Sequence, residues 1–166
     1  MFKLIRGDRK SISLEVKDDL SILVKAPLKM PDSKINEFVL KHQRWIEKQR
    51  EKVMARNQKL LSCDVVELKA KAKEILPQRV DYFSSLMGLT PTGVKITSAK
   101  TRFGSCNGKN SICFSLYLML YPDEAIDYVV VHELAHIKYK NHGKAFYALI
   151  ERYLPDYKNR IKMLKQ

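Results

Sequence analysis

Three of the chain's four histidines fall within one short run, His132-Glu133-Leu134-Ala135-His136-Ile137-Lys138-Tyr139-Lys140-Asn141-His142. On a helix, residues i and i+4 share a face one turn apart. The imidazoles of His132 and His136 can therefore converge on one ion, and zinc accepts such nitrogens at roughly 2.0–2.1 Å in a tetrahedral site. Glu133 lies about 100° further around the helix. It cannot share the same apex, but it can reach a water held by the metal, which is where a general base is needed. The pattern predicts metal-assisted hydrolysis. Zinc lowers the pKa of its water toward about 7 and polarises a carbonyl or phosphoryl oxygen, while Glu133 takes the water proton and later passes it to the leaving group.

Two histidines leave such a site one protein ligand short of the usual three. The candidates are His142 and Glu151. On a continuing helix His142 would stand about 240° from His136. Choosing it therefore requires the helix to end around Lys140 or Asn141, and Asn tolerates the left-handed conformation such an exit often uses. Glu151 would need the next helix to fold back against the first. His142 is preferred because a histidine in an exit turn needs less backbone coincidence. Burying Glu133 and two histidines without partners would be costly, and a metal removes that cost. Arg102, Tyr139 and Tyr147 are candidates to stabilise a developing oxyanion, which asks for a cationic or phenolic group.

The elements that must position these residues can be read from periodicity. Residues 10–26 alternate, with Ile12, Leu14 and Val16 before the turn Lys17-Asp18-Asp19 and Leu20, Ile22 and Val24 after it, which predicts a β-hairpin ended by Pro27. Pro31-Asp32-Ser33 supplies a helix start, with Asp32 or Ser33 as N-cap. Ile35, Phe38, Val39, His42, Trp45 and Ile46 then predict a helix to about Asn57, in which His42 is a packed or hydrogen-bonded residue rather than a ligand. A second helix begins near Asp64, is kinked or interrupted at Pro77, and closes on Gly88. Val94 to Thr97 reads as a strand. Asn107-Gly108-Lys109-Asn110 is a turn, and Ser111 to Met119 a further strand. Tyr121-Pro122-Asp123 stops the sheet and caps the metal helix, which is apolar at Ile126, Val129, Val130, Leu134 and Ile137. A helix over residues 143–154, a break at Pro155 and a short last helix complete an α+β order. The expected division is 1–62, hairpin and helix, and 63–166, the hydrolase core.

The bulk composition narrows the setting. A length of 166 residues fits one domain, or one domain with a small appendage. No apolar run approaches membrane-spanning length, and the first residues lack a signal-peptide pattern, so a cytoplasmic location is the default. Cys63, Cys106 and Cys113 form no Cys-x-x-Cys pair and read as reduced thiols. Lys and Arg number 31 against 18 acids, a formal +13. Such a surplus suits nucleic acid, nucleotides or acidic partners, or simply a solvated surface.

The run Thr101-Arg102-Phe103-Gly104-Ser105-Cys106, then Pro122, then Ile126 to His136, Asn141-His142, Phe146 and Pro155, resembles the YgjP-like family of metallopeptidase-fold proteins, itself similar to the SprT and WLM minimal zincin proteases. The resemblance extends more weakly to Arg9-Lys10-Ser11, Ala26-Pro27 and Trp45-Ile46. It implies a zincin-like core, a small antiparallel sheet beside the HExxH helix, with zinc on His132, His136 and the later His142. It also implies a protein or peptide substrate whose backbone lies on an edge strand ahead of the metal helix, for which Ser111 to Leu118 is the candidate. Ser115, where the family often has Asn, joins Arg102, Tyr139 and Tyr147 as a substrate-binding candidate. Phe103 stands where the family usually has Trp. A zinc peptidase is the leading expectation. The alternatives are a hydrolase of nucleotides or other phosphate-containing small molecules, and a nucleic-acid-associated module with a protease site.

Overall fold

A computed structural model describes residues 2–164. The chain divides into two compact units, Met1–Cys63 and Asp64–Gln166. In the first, β1 (Lys3–Gly7), β2 (Ser13–Val16) and β3 (Ile22–Pro27) form a sheet of order β1-β3-β2. The predicted hairpin is the antiparallel pair β2–β3, with Leu14 opposite Val24. Leu20 lies in the turn, at a positive φ of 66°, rather than in the second strand. The parallel strand β1 was not expected, because five residues with Leu4 facing inward and Ile5 exposed carry too little alternation to stand out.

Helices α1 (Asp32–Lys41) and α2 (Gln43–Leu61) follow. The sequence predicts one helix here, but the chain breaks at His42, whose N–H turns back to the carbonyls of Val39 and Leu40. The His42 Nδ1 lies 2.7 Å from the Phe38 carbonyl oxygen, and its ring packs on Phe38. Asp32 does not cap α1, since no side-chain cap is formed there; its carboxylate pairs with Arg6 instead. Ile22, Val24 and Ala26 of β3 pack with Ile35, Val39 and Ile46 to make this unit's core.

The second unit opens with α3 (Val65–Met87). Asp64 caps it by accepting from the Val66 and Glu67 N–H groups, and Gly88 ends it in the left-handed region. Pro77 does not interrupt this helix. Leu68, Ala72 and Leu76 before or beside it, and Val80 and Phe83 after it, all face one core, so burial of both halves outweighs the one lost backbone bond. Strands β4 (Gly93–Thr97), β5 (Gly104–Cys106) and β6 (Ser111–Ser115) form a sheet of order β4-β6-β5. It is mixed rather than antiparallel, because β4 runs parallel to β6. Strand β6 ends four residues earlier than expected, where the Ser115 hydroxyl accepts from the Tyr117 N–H and starts a 3-10 turn over Leu116–Leu120.

Next comes α4 (Asp123–Lys138), the predicted metal helix, then α5 (Lys144–Tyr153) and α6 (Tyr157–Met163). Helix α4 is buried on nearly every side, as a helix with so many apolar positions must be. Its N-terminal turns are fixed by charge: Arg79 of α3 bonds Asp123 at 2.8 Å and Asp127 at 3.0 Å, and Arg160 of α6 lies 3.6 Å from Asp127. The architecture is α+β, as the order of elements implies.

Candidate metal centre

Helical spacing sets two of the site's residues and the exit from α4 sets the third. His132 and His136 lie one turn apart on α4. The helix ends at Lys138, with Tyr139 extended at φ −124° and ψ 109°. The exit is thus earlier than Lys140 or Asn141, and Asn141 is not left-handed; its carbonyl instead accepts from the Gly143 N–H at 2.9 Å. Leaving early gives the chain three residues in which to turn back. His142 returns with its Nε2 3.1 Å from the Nε2 of His132. One nitrogen from each of His132, His136 and His142 falls within a group whose members lie within 4.8 Å of one another. Nitrogens at roughly 2.0–2.1 Å from one tetrahedral ion are separated by about 3.3 Å, so the 3.1 Å spacing is of the right size. Glu151 is exposed on α5 and does not belong to this group.

Two of the rings are oriented from behind. The His136 Nδ1 donates to the Tyr139 carbonyl at 3.1 Å, leaving Nε2 for an ion. His132 does the same through Tyr128, whose hydroxyl lies 3.2 Å from its Nδ1. Such outer partners fix the tautomer and ring plane of metal-binding histidines. Phe146 of α5, fully buried, forms the floor, with its ring centroid 4.6 to 4.9 Å from all three imidazoles. Burial holds the His132 pKa down to about 3, with His136 and His142 adding to it, so the ring is neutral and its lone pair is free. Burial pushes the Tyr128 phenol up to about 12, keeping it protonated as a hydrogen-bonding partner.

Glu133 points toward β5, about 100° around α4 from His132. It is 5% exposed, and its Oε2 is buried with no hydrogen-bond partner. Burial lifts its pKa to about 7, with the Arg102 guanidinium pulling the other way. A buried carboxylate oxygen left unpaired beside three convergent imidazoles fits a site built around a metal and its water. Gly104 makes this placement possible. A Cβ there would lie 2.5 Å from Glu133 Oε1 and 2.8 Å from its Cδ, so a side chain and the carboxylate cannot coexist. Gly104→Ala is therefore expected to swing Glu133 aside and lower kcat by on the order of 100-fold, the smaller end of what a positioned general base contributes. Metal content should stay at wild-type level. Elemental analysis beside a turnover assay checks both, and retained turnover would show that the contact is not needed.

The remaining candidates separate. Tyr147 is brought to the site, its ring 6.2 Å from that of His142. Arg102 is exposed two residues before β5 and close enough for its charge to act on Glu133. Tyr139 contributes its carbonyl to His136, while its ring lies under the Lys138 ammonium. Ser115 is not brought in. It is 2% exposed, and its hydroxyl donates to the Ala99 carbonyl and accepts from the Tyr117 N–H, so it anchors the end of β6. The edge expected of Ser111 to Leu118 also shifts. Strand β6 is the central strand, and the strand against Glu133 is β5, at the sheet's edge. Sequence reasoning passed over Tyr128, Gly104 and Phe146 as parts of the site. Only Tyr128 carried a local signal, standing four residues before His132 on the same helical face.

A family model described as YgjP-like, metallopeptidase domain, matches residues 10–67 and 65–166. The chain belongs to this family. Among solved structures it is similar to the metallopeptidase zymogen of Pyrococcus abyssi abylysin, at 21% identity and a TM-score of 0.47, covering 52% of this chain and 88% of that one. No curated protein matches the sequence. Among the described residues no helix is long and apolar enough to cross a membrane.

Proposed function

We propose that the chain is a zinc metallopeptidase, with zinc held by the Nε2 atoms of His132, His136 and His142 and Glu133 as general base. The observation that carries this is the convergence of three imidazole nitrogens, two of them braced from behind, beside a buried carboxylate with an unpaired oxygen. Three nitrogen ligands without a thiolate suit zinc in a catalytic rather than a structural setting. Zinc bound there would supply Lewis acidity, activating water and polarising the scissile carbonyl.

The chain's own residues supply the rest. The Glu133 carboxylate accepts the proton of the attacking water and hands it to the leaving amine. Burial raises its pKa to about 7 against the pull of Arg102, so it can take up a proton and release it again near neutral pH. Tyr128 and the Tyr139 carbonyl hold His132 and His136 in the ligating orientation. Tyr147 and Arg102 are the donors proposed to meet the oxyanion.

Strand β5 is proposed to take the substrate backbone. Phe103 and Asn107 make ladder bonds with Ser115 and Ser111 of the β6 side, which sets Ser105 as the next residue bonded to β6. Gly104 and Cys106 alternate with these, so their N–H and C=O groups face the free edge, available to an extended peptide. The test is direct. Purified chain loaded with zinc should cleave an unfolded protein such as casein, lose that activity to a chelator, and regain it with zinc. Cleavage of nucleoside triphosphates in place of protein would transfer the site to phosphate chemistry and refute the peptidase reading.

A further inference from the structure

The charges around the metal centre are unevenly distributed. Arg102, Lys109, Lys138, Lys140 and Lys144 all lie within six residues in sequence of β5 or of the histidine ligands, and all are exposed. None of them forms an ion pair among the described residues, although ten such pairs occur elsewhere in the chain. Of the acids on α4, three are not available to them, whereas Glu124 and, on α5, Glu151 are exposed. Glu133 is buried. Asp123 and Asp127 are held by Arg79, with Arg160 also beside Asp127. They sit six or more residues before Glu133 on α4, roughly 9 Å or more along the axis.

Two of the cations bracket β5 itself. Arg102 precedes its first residue by two positions. At the other end, the Lys140 Nζ is fixed by a 2.6 Å bond to the Asn110 Oδ1, in the turn that joins β5 to β6. Strand β5 is only three residues long, roughly 10 Å. A positive charge thus stands near each end of a free strand edge, with the general base beneath it.

We propose that this edge selects acidic polypeptide segments, with Asp or Glu within about two or three residues on either side of the bond presented to Glu133. The proposal rests on the peptidase reading and names its substrate class. An extended polypeptide fits better than a nucleic acid strand because Gly104 and Cys106 offer backbone donors and acceptors in strand geometry, which a polypeptide can match and a phosphodiester chain cannot. Complementary charge then supplies selectivity and a faster encounter.

The test is binding, so that it can be read apart from turnover. Zinc-loaded full-length Glu133→Gln protein is titrated by fluorescence anisotropy against labelled extended peptides of equal length, one Asp/Glu-rich, one uncharged and one Lys-rich. The acidic peptide should bind roughly ten-fold tighter than the uncharged one, with the advantage shrinking as salt rises. The double substitution Arg102→Glu with Lys140→Glu should reverse the order in favour of the Lys-rich peptide. Circular dichroism and zinc content of that variant report whether it is folded. Equal affinity for acidic and uncharged peptides overturns the proposal while leaving casein cleavage, and with it the peptidase reading, intact. A single-stranded oligonucleotide that displaces the acidic peptide at lower concentration than unlabelled acidic peptide also overturns it, assigning the face to phosphate. Selective acidic binding in a protein that never cleaves casein would support the binding preference and refute the peptidase reading instead.

Discussion

Glu133→Gln is expected to lower kcat for protein hydrolysis by about 10²–10⁴-fold, the usual contribution of a positioned general base. At about 1.36 kcal/mol per decade, that is roughly 3–5 kcal/mol of barrier. Gln matches the carboxylate in size and so fits under Gly104, where the clearance is too small for anything bulkier. It cannot accept a proton, so only the transfer steps are lost. The proposed zinc ligands are three imidazoles on other positions, so metal content should stay at about one per chain. Stability offers a second reading of the same variant. In the folded chain Glu133 is buried with one oxygen unpaired, a state that disfavours charge, as its raised pKa of about 7 records. A neutral amide removes the ionised form, so the metal-free variant should melt no lower than the metal-free wild type. Full activity in Glu133→Gln with zinc bound would refute the assignment of the base.

His132→Ala, His136→Ala and His142→Ala are each expected to strip the site of zinc, whereas Glu151→Ala should leave it loaded. Loss of an outer partner of a metal ligand costs about 10–100-fold in affinity, and loss of a ligand itself should cost more. Inductively coupled plasma analysis after dialysis reads this directly. Thermal melting gives an independent measure, since a ligand that binds the folded state alone adds about 4 kcal/mol of stability at 1,000 times its Kd. Chelator should therefore lower the wild-type Tm and leave the three histidine variants unchanged. His142→Ala is the most informative, because the proposed ligation by His142 depends on the tertiary course of the chain. It is exposed, while His132 and His136 are partly covered by α4's neighbours. A His142→Ala protein that kept its zinc, beside a Glu151→Ala protein that lost it, would return the third ligand to α5.

Much of the second unit was legible because its signals are local. A helix start near Asp64, an end at Gly88 and the apolar face of α3 each depend on residues within a few turns. The same holds for the hairpin β2–β3 in the first unit. The misreadings share a different cause. The break at His42 lies inside an unbroken apolar pattern, so periodicity alone could not reveal it. Strand β1 has too few inward positions to register, and gains its partner only from β3 across the sheet. Strand β6 reads the same in sequence whether it lies at the edge or in the middle. The parallel addition of β4 is a non-local pairing, and it is this pairing that leaves β5 as the edge.

The candidate site divides along the same line. By itself the sequence determined the pairing of His132 with His136 and the offset of Glu133, because one helical turn sets both and needs no other element. It also narrowed the third ligand to two residues. Only the tertiary structure decided the remainder. The early exit at Tyr139 and the return over Phe146 bring His142 to the other two imidazoles. The packing of β5 on α4 reserves the space above Gly104 for the Glu133 carboxylate. These arrangements join segments some ten to thirty residues apart, and their geometry follows from which surfaces pack together rather than from any spacing along the chain.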